Sequence, residues 1–373
     1  MQFTISREAL LKPLQRVQGA IERRQTLPIL ANILVVVKSQ LLSLTGTDLE
    51  IEMIARVGLT QHATAGATTI PGKKLIDICK ALPENAQISF EMADNKVVVR
   101  SGRSRYSVAC LPSENFPKVQ ESAGDVELSV KQGILRQLLE VTCFAMAHQD
   151  VRYYLNGVFM VFNQDEVRMV ATDGHRLATM ALPLRTHLTQ NLTVIVPRKA
   201  VIEMQRLFAE GDEEIGLVIG KNHLRAVNTH TSFITKLIEG KFPDYQRVLP
   251  AAPPYQFEVS RELLKQALLR VSVLFTDKYR GVGLQFTSNL LRIIATTPDK
   301  DEVEDEVEIA YQGPSIEIGA NASYLVEYLN IIKSEMVRVA FTDPNHVILF
   351  ETQLNDAQQS PGRHSYVVMP MRL

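Results

Sequence analysis

The sequence predicts an α+β chain built from three tandem copies of one domain, each with several antiparallel strands and two helices. Three observations lead there. An apolar strand start runs into a basic amphipathic segment as FTISREALLKPLQRV from Phe3, LSVKQGILRQLLEVT from Leu128 and FEVSRELLKQALLRV from Phe257, at offsets of 125 and 129 residues. A second landmark follows in each copy: LTGTD ends at Asp48, MVATD at Asp173 and IIATT at Thr297. The third is IPGKKLIDI from Ile70, VPRKAVIEM from Val196 and IGANASYLVEYL from Ile318. Landmarks that recur in one order signal internal repetition, and a function must make use of it.

Within copy one, Ile33 to Val37 and Leu41 to Leu44 read as buried strands, and Glu50 to Val57 alternates with period two. Leu10, Leu14 and Val17 share one face at helical spacing, as do Leu75, Ile78 and Leu82. Pro13 falls inside the first of these helices, where it removes a hydrogen bond. The helix is retained because the other copies carry Leu138 and Ala267 at that place. Phe116-Pro117 and Phe242-Pro243 mark strand ends. The acidic stretch Glu121 to Glu127 and the proline-rich Leu249 to Pro254 read as linkers, giving domains 1–122, 123–249 and 250–373.

Composition limits the function classes. The chain of 373 residues has a net charge of −1, no run of 18 apolar residues and an N-terminus unlike a signal peptide, so a cytoplasmic protein without a membrane span is expected. Cys79, Cys110 and Cys143 stand singly in apolar contexts and read as reduced core residues, with no disulfide or zinc spacing. Charge is distributed unevenly. The predicted helices 7–18, 72–82, 198–208 and 261–271 each carry three bases to one acid, 131–142 carries two to one, and 322–333 one of each. Their net +9 leaves −10 for the rest of the chain. Lysine and arginine are good helix formers on any solvated face. A bias shared by five of six helices nevertheless suggests a basic surface for phosphates.

The two ends of the chain are also unlike. Copy one closes with Lys96, Arg100, Arg103 and Arg105 beside Tyr106 and Val108, whereas copy three carries DKDEVEDEVE from Asp299 to Glu308, with Val273 and Leu274 nearby. Each alone reads as a solvated hairpin. Together they suggest head-to-tail association, which gives a ring if the rotation closes and covers exposed sheet edges.

Over its full length the chain resembles the bacterial DNA polymerase III beta subunit family of sliding clamps. The segments that carry the resemblance are RRQTLPIL, SLTGTDLEIEM, RSGRSR, AMAHQDVRYYLNG, ATDGHRLA, VPRKAVIE, GKFPDYQRVLP and YVVMPMRL. The resemblance implies a homodimeric ring of six domains, with sheets outside and twelve helices lining the hole, that encircles duplex DNA without sequence preference. Twelve helices about 10 Å apart make a circle of roughly 38 Å through their axes, leaving about 28 Å for a duplex of roughly 20 Å. It also implies binding of the clamp loader, polymerase subunits and repair proteins through short hydrophobic peptides, with no cofactor, metal or catalysis.

By the same resemblance, Leu155, Thr172, Gly174, His175, Arg176, Leu177, Pro243, Arg247, Val248, Val367 and Met369 line the partner-peptide pocket, with Asn321, Tyr324, Met371 and Arg372 at its rim. Arg176 and Arg247 could bond peptide carbonyls, and flexible methionine suits varied partners. From the residues alone, Val367 and Met369 read as strand core. DNA contact is implied for Arg24, Gln149, Tyr153 and Tyr154 on loops, and for Lys73, Lys74, Lys80, Arg198 and Lys199 near helices. The dimer interface is expected at Lys74, Lys96, Arg103, Arg105, Tyr106, Val108, Val273, Leu274, Asp299, Asp301, Glu302, Glu304 and Asp305. The polar stretch Gln353 to His364 is longer than the family pattern and could reshape one pocket rim.

A catalytic reading of Thr172-Asp173-Gly174-His175-Arg176 lacks a nucleophile motif beside it, and an Asp48/Asp173 carboxylate pair has Thr297 in copy three. No P-loop, HExxH or CxxC occurs, and Gly281-Val282-Gly283 lacks the third glycine of a dinucleotide fingerprint. A structural oligomer that binds no nucleic acid is the remaining alternative, and retention on circular against linear DNA separates it from a clamp.

Overall fold

The computed structural model of the chain describes residues 1–21, 27–117, 126–186, 188–208, 211–276, 280–354 and 362–372. Each copy runs strand, helix, four strands, helix, three strands. Copy one comprises β1 (Gln2–Ser6), α1 (Arg7–Val17), β2 (Asn32–Lys38), β3 (Leu41–Thr47), β4 (Ile51–Gly58), β5 (Gly66–Pro71), α2 (Gly72–Ala81), β6 (Gln87–Ala93), β7 (Lys96–Ser101) and β8 (Ser104–Ala109). Copy two comprises β9 (Val126–Lys131), α3 (Gln132–Glu140), β10 (Gly157–Phe162), β11 (Glu166–Thr172), β12 (Arg176–Pro183), β13 (Leu192–Pro197), α4 (Arg198–Leu207), β14 (Glu214–Ile219), β15 (His223–Val227) and β16 (Thr231–Lys236). Copy three comprises β17 (Tyr255–Ser260), α5 (Arg261–Val271), β18 (Gly281–Thr287), β19 (Leu290–Thr296), β20 (Glu302–Glu308), β21 (Ile316–Asn321), α6 (Ala322–Ile331), β22 (Met336–Phe341), β23 (Ile348–Leu354) and β24 (Gly362–Val368).

The helices start where the sequence caps them. The Ser6 and Ser260 hydroxyls accept from Ala9 N (3.3 Å) and Leu263 N (3.4 Å), and Asn321 Oδ1 accepts from Ser323 N at 3.0 Å. On α1 the buried residues are Leu10, Pro13, Leu14 and Val17, so the proline sits on the packed face and the helix continues past it. On α2 the packed face is Leu75, Ile76 and Cys79, continued by Leu82 just past its end; of the expected stripe Leu75 and Leu82 are buried and Ile78 is only half-buried. Five of the six helices are shorter than expected, and two of them lose a base. Lys131 belongs to β9 and Lys333 lies beyond α6, so the net charge on the six helices falls from +9 to +7. The acidic linker is likewise shorter, since Val126 and Glu127 are already in β9, while residues 118–125 lie outside the described residues. Cys79 is buried but Cys110 and Cys143 are only half-buried, and all three are free thiols.

The second landmark is a turn device. Asp48 Oδ1 accepts from Glu50 N (2.9 Å) and Ile51 N (2.8 Å), and Asp173 Oδ1 accepts from His175 N (2.9 Å) and Arg176 N (3.0 Å). In copy three the Thr297 hydroxyl accepts from Asp301 N at 3.1 Å. Aspartate and threonine here satisfy backbone donors that would otherwise compete for the chain direction, which explains their recurrence without any catalytic role.

The chain divides into two compact units. The first, Met1–Gly133 with Arg206–Leu237, holds a four-stranded sheet in the order β1-β6-β7-β8 and an eight-stranded sheet in the order β5-β2-β3-β4-β16-β15-β14-β9. The eight-stranded sheet joins β4 of copy one to β16 of copy two, with Met53 opposite Phe233. That junction explains why Ile51, Glu52 and Met53 are all buried where simple alternation was expected.

The second unit, Ile134–Gln205 with Ile238–Leu373, repeats the pattern. Its eight-stranded sheet runs β13-β10-β11-β12-β24-β23-β22-β17, joining β12 of copy two to β24 of copy three with Ala178 opposite Tyr366, and its four-stranded sheet runs β20-β19-β18-β21. In both units, therefore, the fourth strand of one copy pairs with the last strand of the next copy. Among the described residues β8 and β20 are left as edges, paired only with β7 and β19.

Burial in the second unit has a pH consequence. His364 on β24 is fully buried against the Tyr328 ring (centroids 5.5 Å apart), with no partner at hydrogen-bond distance for either ring nitrogen. Burial pushes its pKa down to about 4, against a weaker opposing pull from the Val141 backbone. The folded state therefore binds its proton less readily than the unfolded chain. His364's contribution is complete above the unfolded pKa near 6.5 and is lost progressively as pH falls from there towards 4, by up to about 1.4 kcal/mol per pH unit. Urea midpoints are expected to fall from pH 7 to pH 5 in the wild type, and His364→Phe is expected to flatten part of that fall; parallel curves would refute the assignment.

Candidate functional site

In the second unit an apolar cluster forms where β12 meets β24. Ala147, Leu155, Val170, Leu177, Ile195, Phe242, Tyr245, Ala340, Leu349 and Val367 are buried in it, with Tyr154, Phe159, Ile238, Val248, Leu249 and Val347 partly covered on its outer side. Phe159 stacks on Phe242 with centroids 4.7 Å apart and planes within 2°. Of the residues expected in the pocket, Leu155, Leu177, Val248 and Val367 belong to this cluster. Pro243, His175 and Arg247 are exposed beside it in sequence, and Asn321 and Tyr324 are half-buried. Met369, Met371 and Arg372 are exposed. The strand-core reading holds for Val367, which is 1% exposed, and fails for Met369, which is 44% exposed because β24 ends at Val368.

The TDGHR turn is built to be stiff. The buried Thr172 hydroxyl donates to Arg176 O (2.6 Å) and accepts from Gly174 N (3.0 Å). Gly174 has φ +92°, and a side chain there would also meet the Arg152 guanidinium at 3.1 Å, so only glycine fits. Arg152 in turn pairs with Asp150 at 2.8 Å and donates to Asp173 O at 3.2 Å, tying the loop ahead of Tyr153 to the turn. The hydrogen bonds from Arg152 hold the Asp150 carboxyl down at about 2.

Arg176 is used differently from the expectation that it bonds peptide carbonyls. Its Nε donates to Asp173 Oδ2 (3.0 Å), Nη2 donates to Phe144 O (2.8 Å), and Nη1 is paired with Glu327. The guanidinium also lies 4.3 Å from the Tyr324 ring centroid and 5.4 Å from that of Phe144. All three nitrogens bond within the protein, so Arg176 fixes the turn to α6. Arg247, paired with Asp244 at 2.8 Å, keeps an 85% exposed side chain and is the arginine open to a ligand.

Sequence reasoning missed Ile238, Phe242, Tyr245, Leu249 and Val347. Three of these stand in GKFPDYQRVLP, and the aromatic pair at Phe242 and Tyr245 was the available signal.

The residues expected to touch DNA are divided. Lys73, Lys74 and Lys80 are exposed on α2, Lys199 is exposed on α4, and Gln149 is exposed with φ +57°. Tyr153 is 58% exposed, edge-on to Tyr154, which instead packs on the apolar cluster. Arg198 is half-buried and donates to Met146 O at 3.3 Å, so part of its capacity is structural. Arg24 lies outside the described residues.

At the two free edges, Lys96, Arg103 and Arg105 are exposed, Tyr106 is half-buried and Val108 is buried. Asp299, Asp301, Glu302 and Glu304 are exposed, Val273 is 81% exposed and Leu274 half-buried. Asp305 departs from the expectation that it faces a partner: alternation on β20 turns it inward with Val303 and Val307, and it pairs with Arg270 of α5, which holds its carboxyl low. Among the described residues no group of three or more His, Cys, Asp or Glu could hold a metal ion, and no helix is long and apolar enough to cross a membrane.

Comparison with known proteins agrees with the threefold architecture. The profiles of the DNA polymerase III beta subunit match in order: the N-terminal domain over residues 1–120, the central domain over 129–244 and the C-terminal domain over 246–372. The chain belongs to the DNA polymerase III beta subunit family. Beta sliding clamps from Pseudomonas aeruginosa and Escherichia coli are 47% and 46% identical to it over 373 residues, covering 100% of both chains. A crystal structure of the P. aeruginosa clamp bound to griselimycin superposes with a TM-score of 0.95 at 47% identity, again covering 100% of each chain. Beta subunits are processivity factors without catalysis of their own, and as a member of the family this chain is not an enzyme.

Proposed function

We propose that two copies of this chain close head to tail into a ring around duplex DNA and hold polymerases and repair proteins there by their peptide tails, in the cytoplasm, with domains 1–122, 123–249 and 250–373 as the repeating unit. The observation that carries the ring is the pairing rule of the two eight-stranded sheets, which leaves one strand of each kind, β8 of copy one and β20 of copy three, without its junction partner at a sheet edge.

The register supports it. Phe3, Phe90, Val99 and Tyr106 form one cross-strand row, equivalent to Leu128, Leu217, Ala226 and Phe233 and to Phe257, Val339, Phe350 and Tyr366. The rows ending at Phe233 and Tyr366 continue into Met53 and Ala178. Those residues follow Glu52 and Leu177, the partners of Thr47 and Thr172; in copy three Glu302 is the partner of Thr296, and Val303 follows it. An antiparallel β8–β20 pairing in the same register would set Tyr106 opposite Val303, Arg105 opposite Glu304 and Arg103 opposite Glu306. Opposite charges directly across a ladder stabilise it, and two exposed edges become one covered sheet.

The basic helices supply weak, interchangeable phosphate contacts, which suit sliding. Reversing the exposed Lys73 and Lys80 to Glu is expected to shorten the products of primer extension by the cognate polymerase and to weaken DNA binding with a shallower salt dependence, with the dimer intact by sedimentation. Unchanged product lengths would remove α2 from the DNA face, and strong sequence preference in a binding competition would overturn sliding.

For the pocket, an extended peptide burying two or three apolar side chains over Leu177, Val248 and Met369 gains about 1.5 to 3 kcal/mol for each. One pocket per chain gives two per ring, so partners compete. Griselimycin, bound by the P. aeruginosa clamp, is expected to displace them here.

A further inference from the structure

We infer that Met369 and Met371 form a peroxide-sensitive modification site that switches off partner binding; this rests on the pocket reading above. The chain has 11 methionines. Met53, Met146, Met160, Met169, Met180 and Met204 are between 0% and 4% exposed and are shielded from solution oxidants. Met92, Met336, Met369 and Met371 are 38%, 45%, 44% and 41% exposed. Two of these four therefore stand two residues apart, immediately after Val367 of the apolar cluster. None of the four is itself part of that cluster, but Met369 and Met371 follow its Val367 on the chain, whereas Met92 and Met336 are on β6 and β22.

The backbone holds the pair in place. Met369 N donates to His175 O at 2.8 Å and Met371 N donates to Gly319 O at 2.9 Å, so the segment is tied to the TDGHR turn on one side and to β21 on the other. The thioethers are thus presented at a fixed rim, open to a small oxidant and in reach of whatever covers the pocket. A thioether sulfur attacks the distal oxygen of a hydroperoxide; the S–O bond forms, the O–O bond breaks, and water or an alcohol leaves. The sulfur is oxidised by two electrons and the peroxide reduced by two. The sulfoxide oxygen is a strong acceptor that a bound apolar side chain would desolvate without a partner. Affinity is expected to fall roughly ten- to a hundredfold. Reductases that return methionine sulfoxide to the thioether make the change reversible.

The test uses the full-length dimer and a fluorescein-labelled C-terminal peptide of the replicative polymerase. Hydrogen peroxide is titrated in, sulfoxides are mapped by peptide mass spectrometry, and affinity is read by fluorescence polarisation. The expected result is oxidation at Met369 and Met371 ahead of the buried methionines, loss of affinity in proportion, and recovery on treatment with methionine sulfoxide reductases. The Met369→Leu, Met371→Leu variant, whatever its own affinity, is expected to show the same affinity before and after peroxide, while Met92→Leu with Met336→Leu stays sensitive. Met369 and Met371 that stay unoxidised while affinity falls, or full oxidation at Met369 and Met371 with unchanged affinity, would overturn the inference. If the untreated protein binds no peptide, the pocket reading itself fails and the switch falls with it.

Discussion

Reversing Arg103 and Arg105 to glutamate is expected to convert the dimer to monomers at concentrations where the wild type is fully dimeric. In the register carried over from the two internal junctions, the change puts like charges opposite Glu304 and Glu306 on a ladder that otherwise pairs opposite ones. Juxtaposed like charges across an interface cost several kcal/mol, and because the ring needs two such contacts, both fail together. Both arginines are exposed in the single chain, so folding is expected to be unaffected, with an unchanged far-UV spectrum. Adding Glu304→Arg and Glu306→Arg is expected to restore part of the dimer. Recovery stays partial because Arg292 already pairs with Glu306 at 2.9 Å, and the new arginine meets it. Val273→Ala with Leu274→Ala is expected to act in the same direction by removing apolar area, since Val273 is 81% exposed in one chain. Sedimentation at nanomolar concentration that finds the charge-reversed protein as dimeric as the wild type would rule out the β8–β20 interface.

Removing Met369 to Leu373 is expected to abolish binding of a polymerase tail peptide, and with it processive synthesis, while leaving a folded dimer. The truncation begins after β24 ends at Val368, so the strand ladder with β12 survives intact. What is lost is the exposed rim and two backbone bonds, Met369 N to His175 O and Met371 N to Gly319 O, which anchor the rim to the turn. A peptide then finds the cluster but no wall to close over its side chains, and losing two buried contacts of about 1.5 to 3 kcal/mol each takes micromolar affinity beyond detection. Micromolar binding retained by the truncated dimer would move the partner site elsewhere.

The repeat, the strand and helix types and the three landmarks were legible in the residues because turn chemistry and periodicity are local. Asp48 and Asp173 recur because the same turn must satisfy the same backbone donors, and Ser6 and Ser260 because both helices need a cap. What was not legible depends on which strands meet. The burial of Ile51, Glu52 and Met53 in sequence follows from β4 joining β16, which no property of copy one announces. Arg176 looked like a ligand-binding arginine because its partners Glu327 and Phe144 are distant in sequence. Asp305 looked like one more acid of the dimer interface, yet alternation along β20 turns it inward to Arg270. Of the apolar cluster, the family resemblance named only Leu155, Leu177, Val248 and Val367, and its aromatic base at Phe159, Phe242 and Tyr245 emerged only once the strands were assembled.

The central claim is topological, and the most direct test is retention of the loaded protein on DNA with and without ends. The labelled chain, loaded by its cognate clamp loader onto nicked circular duplex, is passed over a sizing column in salt high enough to remove phosphate-bound protein. A closed ring is expected to travel with the circle, and a single restriction cut before the column is expected to release it. Equal retention on circular and linear DNA, or equal loss from both, would contradict a closed ring.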